Sequence, residues 1–218
     1  MAIFTMDGKV LAANRFYDMH HATEREDLEG SHGVTGYDRR TGIWCAIGQT
    51  TDWDATGTIE CSYGPLPPEY MNACNFNYTD LQGMKKCSEM HHVVPDATSG
   101  EILFTSYDST AGMYVDQYYR TVPVADIYDE DAHWIYMKFT LNYGELPIVS
   151  FRQIGIFYNP ELDPIYGGAG YGATVIPASK IVPIGTGKGP GILFYYANVE
   201  ARYRHENQKD IIEVIIQF

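Results

Sequence analysis

Alternation of apolar and polar positions dominates the second half of this chain. In the closing segment Ile212, Val214, Ile216 and Phe218 fall on one face, while Glu213 and Gln217 fall on the other. That two-residue period is what a half-buried strand requires. Residues 133–141 repeat it, with Ile135, Met137, Phe139 and Leu141 opposite Trp134, Tyr136, Lys138 and Thr140. Further strands are predicted over 101–106, 113–122, 148–158, 174–182 and 191–198. Asn142-Tyr143-Gly144-Glu145 reads as a turn that makes a hairpin of the 133–141 strand and the Phe151-Arg152-Gln153-Ile154 strand. The last two strands flank a polar turn, where Asn198 and Gln208 are expected to bond backbone groups and hold a second hairpin in register. Strand upon strand, with no helical pattern between, predicts an antiparallel β-sandwich or barrel domain over 126–218.

The first half reads differently. Leu11, Phe16, Met19 and Ala22 approximate one face of a helix running from Lys9 to about Leu28, with Gly30 as its stop. A strand-like stretch follows to Gly48, carrying the apolar run Ile43-Trp44-Cys45-Ala46-Ile47. From Thr50 to Pro95 turn chemistry prevails, with Gly64-Pro65 and Pro67-Pro68, which predicts a loop-rich insertion. The expected fold is therefore mainly β (α+β), with residues 1–125 forming a helix plus a loop-rich region ahead of the β domain. Two glycine-rich spans, 165–172 and 185–191, read as long surface loops.

Charge narrows the function. Fifteen Lys and Arg against 28 Asp and Glu give a net charge of -13, which opposes binding to a phosphate backbone. The basic cluster Arg202, Arg204 and His205 is diluted by acidic neighbours. The start MAIFTMDGKV has no long apolar run, so neither a signal peptide nor a spanning helix is expected, and the four cysteines are expected as thiols of a cytosol-made protein. Eighteen tyrosines suit partly wet interfaces, having an apolar body and a polar tip.

Chemistry finds little purchase. Cys61, Cys74 and Cys87, with His91 four residues after the last, invite a zinc reading, but no Cys-x-x-Cys supplies the usual close pair. Gly185-x-Gly187-Lys188 resembles a phosphate-loop fragment, yet Gly189-Pro190 follows where Ser or Thr should open a helix. Asp129-Glu130-Asp131 reads as a solvated turn, and neither a nucleophile elbow nor a His-Glu-x-x-His run occurs. No enzyme, cofactor or small-molecule substrate is expected.

Several stretches together carry a family likeness. They are Phe151-Arg152-Gln153-Ile154, Asn159-Pro160, then Gly191, Tyr195, Asn198, Gln208 and the Ile-rich close from Ile212 to Phe218. This pattern resembles the baseplate wedge family encoded by gene 8 of T-even-like contractile-tailed bacteriophages. A fainter echo is Gly48-Gln49-Thr50-Thr51-Asp52-Trp53, where the family has Gly-Arg, two residues, then Pro-Trp; Val199-Glu200 stands where Arg-Pro usually follows the Asn. The chain is shorter than the T-even protein, so a trimmed sub-domain is expected.

The resemblance implies a structural virion protein of the tail baseplate, made in the host cytoplasm. It would form a homodimer, bind other wedge proteins and rearrange on sheath contraction. Phe151, Arg152, Gln153, Ile154, Tyr195, Asn198, Gln208 and Phe218 are the candidate interface or structural residues. Arg152 is read either as an edge residue lying over apolar surface or as an anchor held by a carboxylate at a subunit junction. The rival expectation is a standalone β-sandwich module that recognises carbohydrate or peptide, with Trp44, Trp53 and Trp134 lining its pocket.

Overall fold

A computed structural model describes residues 5–21, 38–39, 42–51, 76–108, 111–162, 174–181 and 191–218. In chain order the elements are helix α1 (Met6–His21) and strands β1 (Asp38–Arg39), β2 (Ile43–Gly48), β3 (Leu81–Lys86), β4 (Glu89–Pro95), β5 (Ile102–Asp108) and β6 (Met113–Val122). There follow β7 (Trp134–Leu141), β8 (Ser150–Tyr158), β9 (Glu161–Leu162), β10 (Val175–Pro177), β11 (Ile192–Tyr203) and β12 (Asp210–Gln217). Over the described residues the protein is mainly β and antiparallel, as its alternation predicts, with one α-helix near the N-terminus.

Two compact units are interleaved along the sequence. One takes residues 1–21, 88–138 and 212–218; the other takes 22–87 and 139–211. The second unit holds a five-stranded sheet ordered β10-β3-β2-β8-β11. At its centre β2 is buried at every position, which its unbroken apolar run anticipates for a strand covered on both faces. Trp44, Ala46, Met84, Phe157, Ile176 and Ile181 pack with Phe76 as its core. Each large side chain there contributes about 1.5–3 kcal/mol by leaving water. Trp44 is thus a core residue, which corrects its expected place in a ligand pocket.

The first unit is ordered β12-β7-β4-β6-β5 and carries α1. Thr5 opens the helix, its Oγ1 accepting the Gly8 amide at 3.2 Å, which satisfies a donor left over at the first turn. Val10, Ala13 and Phe16 are the buried positions and Val10 joins Val94, Val122, Ile127 and Ala132 in the core. Leu11, expected on that face, points to solvent because it stands one residue off the buried stripe. Residues 22–28 of the expected helix lie outside the described residues.

Two expected hairpins do not form. The 142–145 turn is present, tightened by Glu145 accepting the Asn142 amide at 2.7 Å, but β7 and β8 join different sheets. The same is true of β11 and β12. Alternation fixes which face of a strand is buried and leaves its neighbour open. Residues 81–95, expected to be loop, form β3 and β4, both interior to their sheets. Most of the remaining expected insertion, like the glycine-rich spans apart from Gly191, lies outside the described residues.

Candidate interface and the buried amide network

The likeness motifs, scattered along the sequence, meet inside the second unit. Gln153 on β8 faces Asn198 on β11 as a cross-strand pair, and its Nε2 donates to Asn198 Oδ1 at 2.6 Å. Gln153 Oε1 accepts the backbone amide of Asn77 at 2.8 Å. Asn77 Nδ2 in turn donates to Gln49 Oε1 at 2.8 Å, and Gln49 Nε2 donates to Thr51 O and Oγ1, both at 3.0 Å. Gln49, Gln153 and Asn198 are buried, where an amide left without partners would cost about 1–3 kcal/mol. Gln49 adopts a φ of 56°, a left-handed conformation worth roughly 1–3 kcal/mol of strain that surrounding bonds must hold. Asn198 therefore sits inside a strand rather than at the turn where it was expected, and its side chain accepts from Gln153.

Arg152 sits beside this network. β8 is interior to its sheet, so of the two readings of Arg152 the edge placement is corrected. The side chain is buried, and its Nη1 donates to Thr50 O at 2.9 Å and Ser150 Oγ at 3.2 Å. Phe151 and Ile154, either side of the polar pair, are core residues. Asn159 closes the other end of the strand: its Oδ1 accepts the Gly42 amide at 3.0 Å and its own amide donates to Gly42 O at 3.2 Å. Gly191, at a φ of 98°, passes so near that an added Cβ would stand 2.5 Å from Tyr158 O. Only glycine fits there.

Tyr195 is the outward member of the set. β11 stands at the end of its sheet order, and its register shifts between Leu193 and Tyr195. Such a bulge re-aims side chains; here Phe194 and Tyr195 are both exposed, in company with Ile192 and Tyr203. Gln208 is exposed in the turn after β11, its amide donating to His205 O at 3.4 Å. Phe218 belongs to the first unit, where its amide donates to His133 O at 2.9 Å and its ring lies 5.3 Å from that of Phe16.

Arg204, noticed in the sequence only as part of a basic cluster, is buried and fully occupied. Its Nε donates to Asp210 Oδ2 at 2.8 Å, Nη1 to Leu146 O at 3.0 Å and Nη2 to Asn142 O at 3.2 Å. It ties the 142–146 turn to the turn between β11 and β12. Lys85 has a similar task, reaching Glu145 at 2.8 Å.

Of the candidate metal ligands, Cys61 and Cys74 lie outside the described residues. Cys45 and Cys87 are buried and outside any disulfide. Burial, then the neighbouring Cys87, push the Cys45 thiol far above its usual range, against the opposing pull of Arg202. Among the described residues no group of three His, Cys, Asp or Glu side chains could hold a metal ion, and no helix is long and apolar enough to cross a membrane. His92 is the one described histidine whose two ring nitrogens are both buried without a hydrogen bond.

Two comparisons bear on identity. The family model described as baseplate wedge 3 tail fiber network component matches residues 36–218, leaving α1 outside the match. No curated protein matches the chain.

Proposed function

The chain belongs to the baseplate wedge 3 tail fiber network component family, a baseplate wedge protein of phage, and from that premise we propose that it holds neighbouring wedge proteins together and rearranges when a contractile sheath shortens. The match over residues 36–218 carries this reading. Its work is mechanical, without a catalysed reaction, and is done in the virion by a protein made in the host cytoplasm.

Within this reading the chain forms a two-fold homodimer through the β11 edge. An edge strand is self-complementary when it pairs with its own copy, and Ile192, Phe194, Tyr195 and Tyr203 supply exposed anchors along it. Phe151, Arg152, Gln153, Ile154 and Asn198 stiffen the sheet behind that edge. Gln208 lies in the turn at its end, and Phe218 secures the closing strand.

Localising the chain in density of intact tails tests the proposal. It predicts a place in the wedge, in two-fold pairs; density in the capsid or a fibre tip would overturn it. Light scattering of the purified protein should give the dimer mass, and Tyr195→Lys should give the monomer mass.

A further inference from the structure

We propose that the β5–β6 ribbon is a second docking arm, built to receive a basic polypeptide segment of a neighbouring tail component. The inference rests on the baseplate reading for the partner's whereabouts and on the ribbon itself for the partner's chemistry.

The ribbon outruns its sheet. β4 accompanies β6 from Val122 only as far as Tyr119. β5 and β6 go on together from Leu103↔Tyr118 to Asp108↔Met113. A two-stranded ribbon is marginally stable in water at best, and one usually finds its apolar side chains gathered on a single covered face. Here Leu103 and Tyr118 (46% and 44% exposed) with Tyr114 (55%) lie on one face, while Met113 (58%) and Val115 (39%) lie on the other. Apolar groups bared on both faces of one short arm mark a surface that a partner covers.

Its base, by contrast, is firmly held. Asp96 accepts the Thr98 and Ser99 amides at 2.9 and 3.0 Å and pairs with Arg120 at 3.2 Å. Glu101 accepts from the Thr121 hydroxyl at 2.7 Å. The arm is presented on a rigid foot.

Charge selects the occupant. Between residues 101 and 119 stand Glu101, Asp108 and Asp116 and not one Lys, Arg or His. The nearest cation, Arg120, is engaged by Asp96 and Glu130. A second copy would bring the same three negative charges to the same place, on a chain already at -13. Nucleic acid and anionic lipid are repelled for the same reason. A segment with Lys or Arg beside apolar residues matches both the charge and the exposed surface.

The test uses tails from a phage lacking this gene, supplied with purified full-length protein. Wild type should restore infectious particles. Leu103→Ser with Tyr118→Ser should restore about tenfold fewer, as losing central anchors does, with its melting temperature held. Asp116→Lys, which reverses the charge and gives up the bond from the Thr105 hydroxyl at 2.6 Å, should also lower recovery, by about threefold, with its melting temperature held. Recovery equal to wild type with both variants would overturn the arm and leave the baseplate reading intact. Failure of wild type itself would remove that reading and the arm with it. A change of oligomeric mass in the Leu103/Tyr118 variant would make a second copy the occupant and equally overturn the proposal.

Discussion

Gln153 and Asn198 stand directly opposite each other on β8 and β11, and the 2.6 Å bond between their side-chain amides is the hub of the second unit's polar interior. From Gln153 the chain of bonds reaches Asn77, Gln49 and Thr51. Four segments far apart in sequence are thereby fastened at one point. Gln153→Ala would strand the Asn77 amide and loosen Asn198, at a cost of about 2–4 kcal/mol. Gln153→Glu, of equal size but charged, should be no better tolerated. Urea unfolding checks both.

Gly155 lies two residues along β8, where an added Cβ would come within 2.7 Å of the Phe76 ring and 2.8 Å of the Phe157 ring. Both rings are core, so neither has room to retreat. Gly155→Ala should destabilise by about 1–3 kcal/mol through overpacking, read as a lowered melting temperature with unchanged circular dichroism at 20 °C or so.

Removing Arg204 should be more damaging. Arg204→Ala leaves the part-buried Asp210 without its cation, and two carbonyls lose a donor. The expected loss is about 3–5 kcal/mol. Arg204→Lys should recover only part of it, because a single ammonium cannot span three acceptors set this way. Comparing the two variants by chemical denaturation separates charge from geometry.

Acid sensitivity should come from Glu145. Partial burial raises its pKa, but the bonds from Lys85 and from the Asn142 amide outweigh that, and the carboxyl is held below its ordinary value. A depressed carboxyl stabilises the fold above its unfolded pKa, and the benefit vanishes as pH falls through the folded one. Glu145→Gln should therefore be less stable than wild type at neutral pH, with the gap closing in strong acid. Parallel stability curves across pH would contradict this.

His92 predicts the opposite remedy. Burial lowers its pKa below the ordinary imidazole value, with Asp18 pulling the other way, and the Tyr17 ring packs 4.7 Å away. As pH drops below 6.5, the unfolded chain takes a proton that the folded one refuses, so stability falls. His92→Leu should remove that slope and gain about 1–2 kcal/mol at pH 7 by deleting two orphaned nitrogens. Thermal melts at pH 7 and pH 5 decide the matter.

Much of the fold was legible because burial writes itself as a period of two. The strand predicted over 113–122 is present as β6, Met113–Val122, and the period itself shows in β12, which buries Ile212 and Val214 while Glu213 faces water. β3 and β4 escaped notice for physical reasons. Gln82, Gly83, Lys85 and Lys86 make β3 look like loop, although Lys85 is neutralised by Glu145. His91 and His92 likewise disguise β4, one facing water and one buried.

The site was legible in its parts but not in its assembly. Arg152, Gln153 and Asn198 stood out in the sequence, the first two as an edge pair or a junction anchor and Asn198 as a turn residue, but not as members of one buried network. Nothing local says that Gln49 and Asn77 complete the set, because that depends on which strands become neighbours. Tyr195 owes its outward aim to an irregularity in the β8–β11 ladder, which period alone does not encode.

Side chains repeat their direction every second residue, so β11 could slide two places along β8 and still turn the same class of surface inward. Opposite Gln153 would then come Tyr196 instead of Asn198, and the amide would be marooned. Polar chemistry here acts as a proofreader of alignment: greasy contacts accept the slipped sheet, and the single glutamine rejects it.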